Sequence, residues 1–349
     1  ARNEEDAHVY VAESNVLNCT SGQGLDLAYL PPSSGTSENL PDSNKTYIIT
    51  EDNYYTYFTD EYTVNTNKVL KNDTLILQGT FTNKNFTFPI KVHIIGQNCT
   101  IYNGTVLFTR DAHASSITNV TIINNRHDSS VINVHAIEVV EVNNCNITNV
   151  KINNYDKWES FGIFLYSSSG NTVTHNTIFT SGDYVNYAIF VYASDLNNIT
   201  NNIVRLNQSN IPIEYDSEIM FDDRIGAVQE VLHNYGIILL YSSYNTINKN
   251  DVNVTSQFDK YQFPVDTCKN SVVGIDVYYD SNYNFITNNK ITVNSYGPYE
   301  YGMGVLGAPW GSSISSLNAT NNTFRNNNVV VNGGYFATGF IAGLNSVNT

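Results

Sequence analysis

Between residues 214 and 230 the chain carries Glu214, Asp216, Glu218, Asp222, Asp223 and Glu230 against a single arginine, Arg224. Calcium takes six to eight oxygen ligands and would suit such a cluster. No D-x-[DN]-x-[DN]-G loop orders these oxygens, so a solvated acidic loop is the favoured reading and calcium the alternative; no other cofactor is expected. Four cysteines, Cys19, Cys99, Cys145 and Cys268, show neither a CxxC motif nor a Cys/His spacing that would build a zinc site. Widely spread and even in number, they fit an oxidising exterior with three alternative pairings, although four buried thiols would read the same way. Asn-x-Ser/Thr occurs at Asn18, Asn44, Asn72, Asn85, Asn98, Asn103, Asn119, Asn146, Asn198, Asn207, Asn253, Asn318 and Asn321, a modest excess over composition. Glycans must project into solvent, so Asn44, Asn72, Asn85 and Asn207 are the favoured carriers.

The background to these groups is a chain of 349 residues with 32 acidic and 17 basic side chains, a net charge of -15. Nucleic acid and anionic lipid would both be repelled by it, which excludes them as partners. Asn (52), Thr (32), Ser (29) and Tyr (25) replace the Ala, Leu, Glu and Lys of a helical protein, so β-structure and turns are expected. No apolar run reaches the length of a membrane helix and no leader precedes Ala1, which predicts a soluble, mature segment without membrane insertion.

The elements that must position any site are given by self-similarity. Residues 162–178, GIFLYSSSGNTVTHNTI, align without a gap on 188–204, AIFVYASDLNNITNNIV, and the frame returns at 236–252 and 274–291. Weaker copies start at Val106, Ala136 and Gly304. Each copy has three short β-rich runs separated by turn residues, too short for helical crossovers. One coil of about 26 residues with three strands is the unit of an all-β, right-handed parallel β-helix, of about nine coils here. Strand alternation buries Ile163 and Leu165, Ile189 and Val191, Ile237 and Leu239, Ile275 and Val277.

Like residues one coil apart stack in columns about 4.8 Å apart. Asn171, Asn197, Asn245 and Asn284 form one column; Asn176, Asn202, Asn250, Asn289 and Asn322 form the second, where a corner must fall. Asn tolerates a left-handed corner and its amide can bond to the Asn above and below, so these are structural ladders. His175 replaces an Asn just before that corner and is expected to be a turn residue. The outward positions of the first strand are occupied by Phe164, Tyr166, Phe190, Tyr192, Ile238, Leu240 and Tyr278, bracketed by Glu138 and Asp276. Either an insertion or the N-terminal arm covers this apolar column, or it is a ligand-binding surface for another subunit or for sugar rings.

The domain reading is an arm and linker over 1–46 and a β-helix over 47–349 that includes a cap and insertions at 205–235 and 254–272. Aromatic residues 54–58 are expected to close the first coil. The repeated G-I-x-L/V-x-x-S-x-x-N-x-I-x-x-N-x-I frame resembles the pectate-lyase-like superfamily. YIITEDNYYTYFT (47–59), DTLILQGTF (73–81) and TIYNGTVLF (100–108) resemble the opening of adhesin-like surface proteins of methanogenic archaea. That resemblance implies secretion to the cell surface and adhesion or structure-building, with no proven chemistry. Partners would be other copies, through head-to-tail edges and residues 7–17, or cell-surface glycans and proteins.

The superfamily also implies a second class, a carbohydrate-active enzyme. A polysaccharide lyase needs a basic residue against a uronate, and the repeats offer outward Arg205 and Lys290 alone. A glycosidase needs two carboxylates across a cleft, for which Asp276 and Asp280 could face Asp222 or Asp223, although no motif places them. No catalytic residue is therefore assigned.

Overall fold

A computed structural model describes residues 42–126, 134–156, 159–182, 185–208, 231–256, 269–278, 280–295, 300–306, 319–332, 337–338 and 341–342. Residues 7–17, the acidic stretch 214–230, Cys19, Cys268, Asn18 and Asn318 lie outside them.

The polypeptide winds as a parallel β-helix, every strand pairing in parallel with its counterpart one coil away. One sheet is built from Phe86–Ile90, Val106–Asp111, Val134–Val140, Glu159–Tyr166, Val185–Tyr192, Val231–Leu240, Lys269–Tyr278 and Glu300–Leu306. Short strands Ala337–Thr338 and Ile341–Ala342 add its ninth rung. Three-residue strands such as Thr172–Thr174 and Asn198–Thr200 form a second stack. Strands such as Thr177–Gly182 and Ile203–Gln208 form a third. In the early coils Ser116–Arg126 runs through both of these, pairing with Asn146–Thr148 and Lys151–Asp156. Inside, Ile137, Ile163, Ile189, Ile237 and Ile275 stack in register, and all eight residues expected inward are buried.

The first sheet carries a break in alternation, in register from rung to rung, that the sequence pattern does not predict. Phe161 pairs with Tyr187 and Ile163 with Ile189, while Gly162 and Ala188 between them pair with nothing. A Cβ on Gly162 would come within 2.4 Å of the Ala188 carbonyl oxygen, so the column Ala136, Gly162, Ala188, Gly236, Gly274 holds only the two smallest side chains. Gly162 and Ile163 both face inward, and Phe161 and Phe164 therefore fall on the same outer face.

Two asparagine ladders turn two corners. The Asn171 side-chain N–H donates to Asn197 Oδ1 at 3.0 Å, Asn197 to Asn245 at 3.1 Å, Asn245 to Asn284 at 3.1 Å and Asn284 to Asn322 at 3.1 Å. Five residues on, Asn176 donates to Asn202, Asn202 to Asn250, Asn250 to Asn289 and Asn289 to Asn327. Asn322 thus belongs to the first ladder, and Asn327 continues the second. The last coil departs from the period, so counting from the repeat start misassigns it. Each ladder oxygen also accepts a backbone N–H, as Asn202 Oδ1 does from Asn176, leaving no orphaned amide at the turn. A parallel serine ladder, Ser168, Ser194, Ser242 and Ser281, runs through backbone N–H to Oγ bonds of 2.8–3.0 Å.

At the N-terminal end a single helical turn, Tyr54–Tyr57, lays Tyr54 and Phe58 over Phe81, Phe86 and Phe88. The Tyr54 hydroxyl donates to the Asn85 carbonyl. The expected insertions are narrower than 205–235 and 254–272. Residues 203–208 and 231–240 are paired strands, as are 251–256 and 269–278, because the apolar alternation continues into them.

Candidate binding surface

The outward column of the first sheet is not an open docking face. Phe164, Tyr166, Phe190 and Ile238 are buried and Tyr192, Leu240 and Tyr278 half-buried, so of the two alternatives the open ligand-binding column is corrected. The break in alternation at Gly162 sets a second outward row, Phe161, Tyr187 and Tyr235, beside the first, and the two rows pack into one apolar cluster. Phe161 stacks on Tyr187 at 5.0 Å, Phe164 on Phe190 at 5.1 Å and Tyr166 on Tyr192 at 5.5 Å. The result is a second apolar core outside the coil.

Its two acidic ends are buried as well. Glu138 Oε1 lies 3.0 Å from His135 Nδ1, and His135 packs against Phe161 and Phe164. Asp276 is 1% exposed, and no side chain donates a hydrogen bond to its carboxyl oxygens. Burial pushes its carboxyl up to about 8, only partly offset by the Val277 backbone N–H. Glu138 and Asp276 stand four rungs apart, roughly 19 Å at the usual strand spacing, so they cannot act as a pair. Asp280 follows a turn on the outer surface, and Asp222 and Asp223 lie outside the described residues.

The two cations that lyase chemistry would recruit are engaged by one carboxylate. Arg205 Nη2 is 3.1 Å and Lys290 Nζ 3.6 Å from Asp251 Oδ2, and Arg205 Nη1 also donates to the Asp251 carbonyl at 2.8 Å. His175 adopts φ +57° in a turn and its Nδ1 lies 3.0 Å from Thr174 Oγ1.

Among the sequons, Asn44, Asn98, Asn119, Asn146 and Asn198 are exposed. Asn72, Asn85, Asn103, Asn207, Asn253 and Asn321 are half-buried. Asn207 sits inside strand Ile203–Gln208, which corrects its expected place outside the packed strands. Cys99 and Cys145 are free, buried thiols, each pushed up to about 12 by burial.

One surface feature escaped the sequence reading. At the corner before the first asparagine ladder, each coil holds a residue in the left-handed region: Asn144, Gly170, Leu196, Tyr244, Tyr283 and Asn321, at φ +56° to +69°. Backbone bonds join them rung to rung: Leu196 N–H to the Ser243 carbonyl, Tyr244 N–H to that of Asn282, Tyr283 N–H to that of Thr320. Glycine and asparagine suit this conformation; leucine and tyrosine do not, at a cost of roughly 1–2 kcal/mol each. Burial does not offset that cost. Leu196 is 64% exposed, Tyr244 51% and Tyr283 44%, and the two tyrosine rings stack at 5.0 Å and 3°. Phe285, two residues beyond Tyr283, is 50% exposed. The adjoining column is a hydrogen-bonded polar rail: Asp195 Oδ1 accepts from Ser243 N–H at 2.6 Å, Ser243 Oγ from Asn282 N–H at 2.9 Å and Asn282 Oδ1 from Thr320 N–H at 2.6 Å. The signal was the residue before each ladder asparagine, which reads Gly, Leu, Tyr, Tyr along the copies.

Comparison with known proteins gives one family match: residues 133–338 fit the model of NosD, described as a periplasmic copper-binding protein. An alginate lyase from Paenibacillus sp. str. FPU-7 is similar at 10% identity and a TM-score of 0.31, over 85% of this chain and 99% of that one. A mannuronic acid-specific polysaccharide family 6 lyase from human gut microbiota is similar at 9% identity and 0.24, over 81% and 82%. No curated protein matches the chain.

Copper favours thiolate, thioether and imidazole ligands gathered at one point. No group of three or more His, Cys, Asp or Glu that could hold a metal occurs among the described residues. His93 Nδ1 is 2.9 Å from Ser116 Oγ, His113 Nδ1 accepts from the Asn143 N–H, and the two buried thiols resist ionisation. The described residues do not fit a copper centre.

Proposed function

The chain belongs to the NosD family, and we propose that it acts outside the cytoplasm by surface contact, as an adhesive or structural β-helix whose coils present a binding ridge. The observation that carries this reading is the corner ridge of Leu196, Tyr244 and Tyr283. Three bulky side chains hold a costly backbone conformation in consecutive coils while half exposed, in positions where neighbouring coils use glycine or asparagine. Strain that packing does not reward is characteristic of functional surfaces. The engagement of both Arg205 and Lys290 by Asp251 favours binding over lyase turnover. The periplasmic family and the acidic, sequon-bearing composition favour an extracytoplasmic location. The partners are glycans or proteins of the cell envelope.

Retention of the purified chain on immobilised cell-envelope material tests the reading. Wild type is expected to be retained and the double variant Tyr244→Ala/Tyr283→Ala to be washed off. Equal retention of the two would overturn it.

A further inference from the structure

We propose that the Leu196–Tyr244–Tyr283 ridge is a binding site for an uncharged glycan chain laid along the coil axis, an inference that rests on the surface-contact reading above and names the ligand. Size is the first argument. A whole aromatic side chain offers 150–250 Å², so half-exposed Tyr244, Tyr283 and Phe285 with Leu196 offer roughly 400 Å². A stable protein interface takes about 800 Å² from each partner. The ridge is half that, and suits a narrow ligand.

Charge is the second argument. The ridge column contains no ionisable acid or base other than the tyrosine hydroxyls, and the chain carries a net charge of -15. Asp195, next to Leu196, adds a carboxylate to the adjoining rail, its Oδ1 accepting from the Ser243 N–H, so a polyuronate would be repelled.

Chemistry is the third. A pyranose has an apolar C–H face and a rim of hydroxyls, and the surface offers the complement of both. Leucine and tyrosine supply the apolar strip. Beside it lie polar groups already held in place, with Ser243 Oγ accepting from the Asn282 N–H at 2.9 Å and Asn282 Oδ1 from the Thr320 N–H at 2.6 Å. The ridge advances one coil, about 4.8 Å, per aromatic ring, so successive sugar units of an extended chain meet successive rungs. Ring stacking and the rung-to-rung backbone bonds fix the side chains before the ligand arrives, which removes an ordering cost from binding.

Titration calorimetry with the full chain tests this, using neutral β-1,4-glucan and β-1,4-mannan hexasaccharides and a hexauronate as the anionic control. At least one neutral hexasaccharide is expected to bind at least tenfold more tightly than the hexauronate. Tyr244→Ala and Tyr283→Ala are each expected to weaken it tenfold or more at an unchanged melting temperature, while Tyr244→Phe retains it. Absence of neutral-sugar binding, or binding that survives both alanine variants, would overturn the glycan assignment. If envelope retention still depends on the ridge in that case, the surface-contact reading stands and the partner is a protein. If neither depends on it, both fall.

Discussion

The side-chain N–H of Asn202 donates to Asn250 Oδ1 at 3.0 Å although 48 residues separate them in sequence, because residues 209–230 intervene between two adjacent coils. The same Asn202 amide also donates to the Val173 carbonyl at 2.9 Å, and its oxygen accepts from Asn176. Replacing Asn202 with Leu leaves a buried carbonyl and a buried N–H without partners. A loss of about 1–3 kcal/mol is expected in urea unfolding. Asn198→Ala, on the exposed side of the neighbouring strand, serves as the neutral control.

The small-residue column limits volume. Gly162→Val would drive its side chain into the Ala188 carbonyl and Ile178 Cγ2, and is expected to destabilise by about 1–3 kcal/mol. Gly162→Ala already places a Cβ 2.4 Å from the Ala188 carbonyl oxygen and 2.6 Å from Ile178 Cγ2, so it is expected to destabilise as well, by less than valine because it adds no Cγ atoms. Chemical denaturation of the two variants separates the cases.

Asp276 makes stability depend on pH. Its folded-state pKa, pushed up to about 8, lies above the ordinary 3.8, so the folded protein holds a proton that the unfolded chain releases. The stability it permits is fully present below about pH 4 and is lost as pH rises towards 8. Asp276→Asn abolishes this titration. The variant should match wild type closely near pH 4 and exceed it increasingly above, by up to about 1.4 kcal/mol per pH unit. Urea midpoints at pH 4.5, 6 and 7.5 provide the test, and parallel curves for the two proteins would refute it.

Strain in the ridge gives an opposite expectation for a surface residue. Asn144 and Asn321 hold the conformation that Tyr244 adopts, so Tyr244→Asn should raise stability by about 0.5–1.5 kcal/mol while removing a ring from the binding strip. A thermal melt that falls instead would mean that the ring contributes packing that its exposure conceals.

The two described thiols are shielded. Burial holds Cys99 and Cys145 protonated, so iodoacetamide at pH 8 should leave both unmodified in the folded protein and alkylate both in urea, as read by peptide mass spectrometry.

What the sequence made legible was whatever repeats. Ile163, Ile189, Ile237 and Ile275 recur in one frame, and so do the asparagines whose amides bond from coil to coil; recurrence there is the direct trace of stacking. The outward column stayed open between a covered face and a ligand-binding surface, because alternation says which residues point outward and not what lies over them. The unpaired residue at Gly162 adds a second outward row, and neither Phe161 nor Phe164 signals alone that the two rows will bury each other. The ridge was visible as letters and invisible as structure: a tyrosine before an asparagine carries no mark of positive φ. Asp276 read only as the outward end of a column, because nothing in its neighbours along the chain reveals that the fold buries it.

The ladders run along the axis while the strands run across it, and this sets how the molecule answers a pull on its ends. Tension reaches the terminal rung first, and one rung's bonds must give way before the next is loaded. Each coil of 26 residues, as between Asn176 and Asn202, would release about 85–95 Å of extended chain when it opens. The next coils are longer, 48 residues from Asn202 to Asn250 and 39 from Asn250 to Asn289, so the molecule would yield in unequal steps, each set by the coil that opens, while the coils behind remain wound.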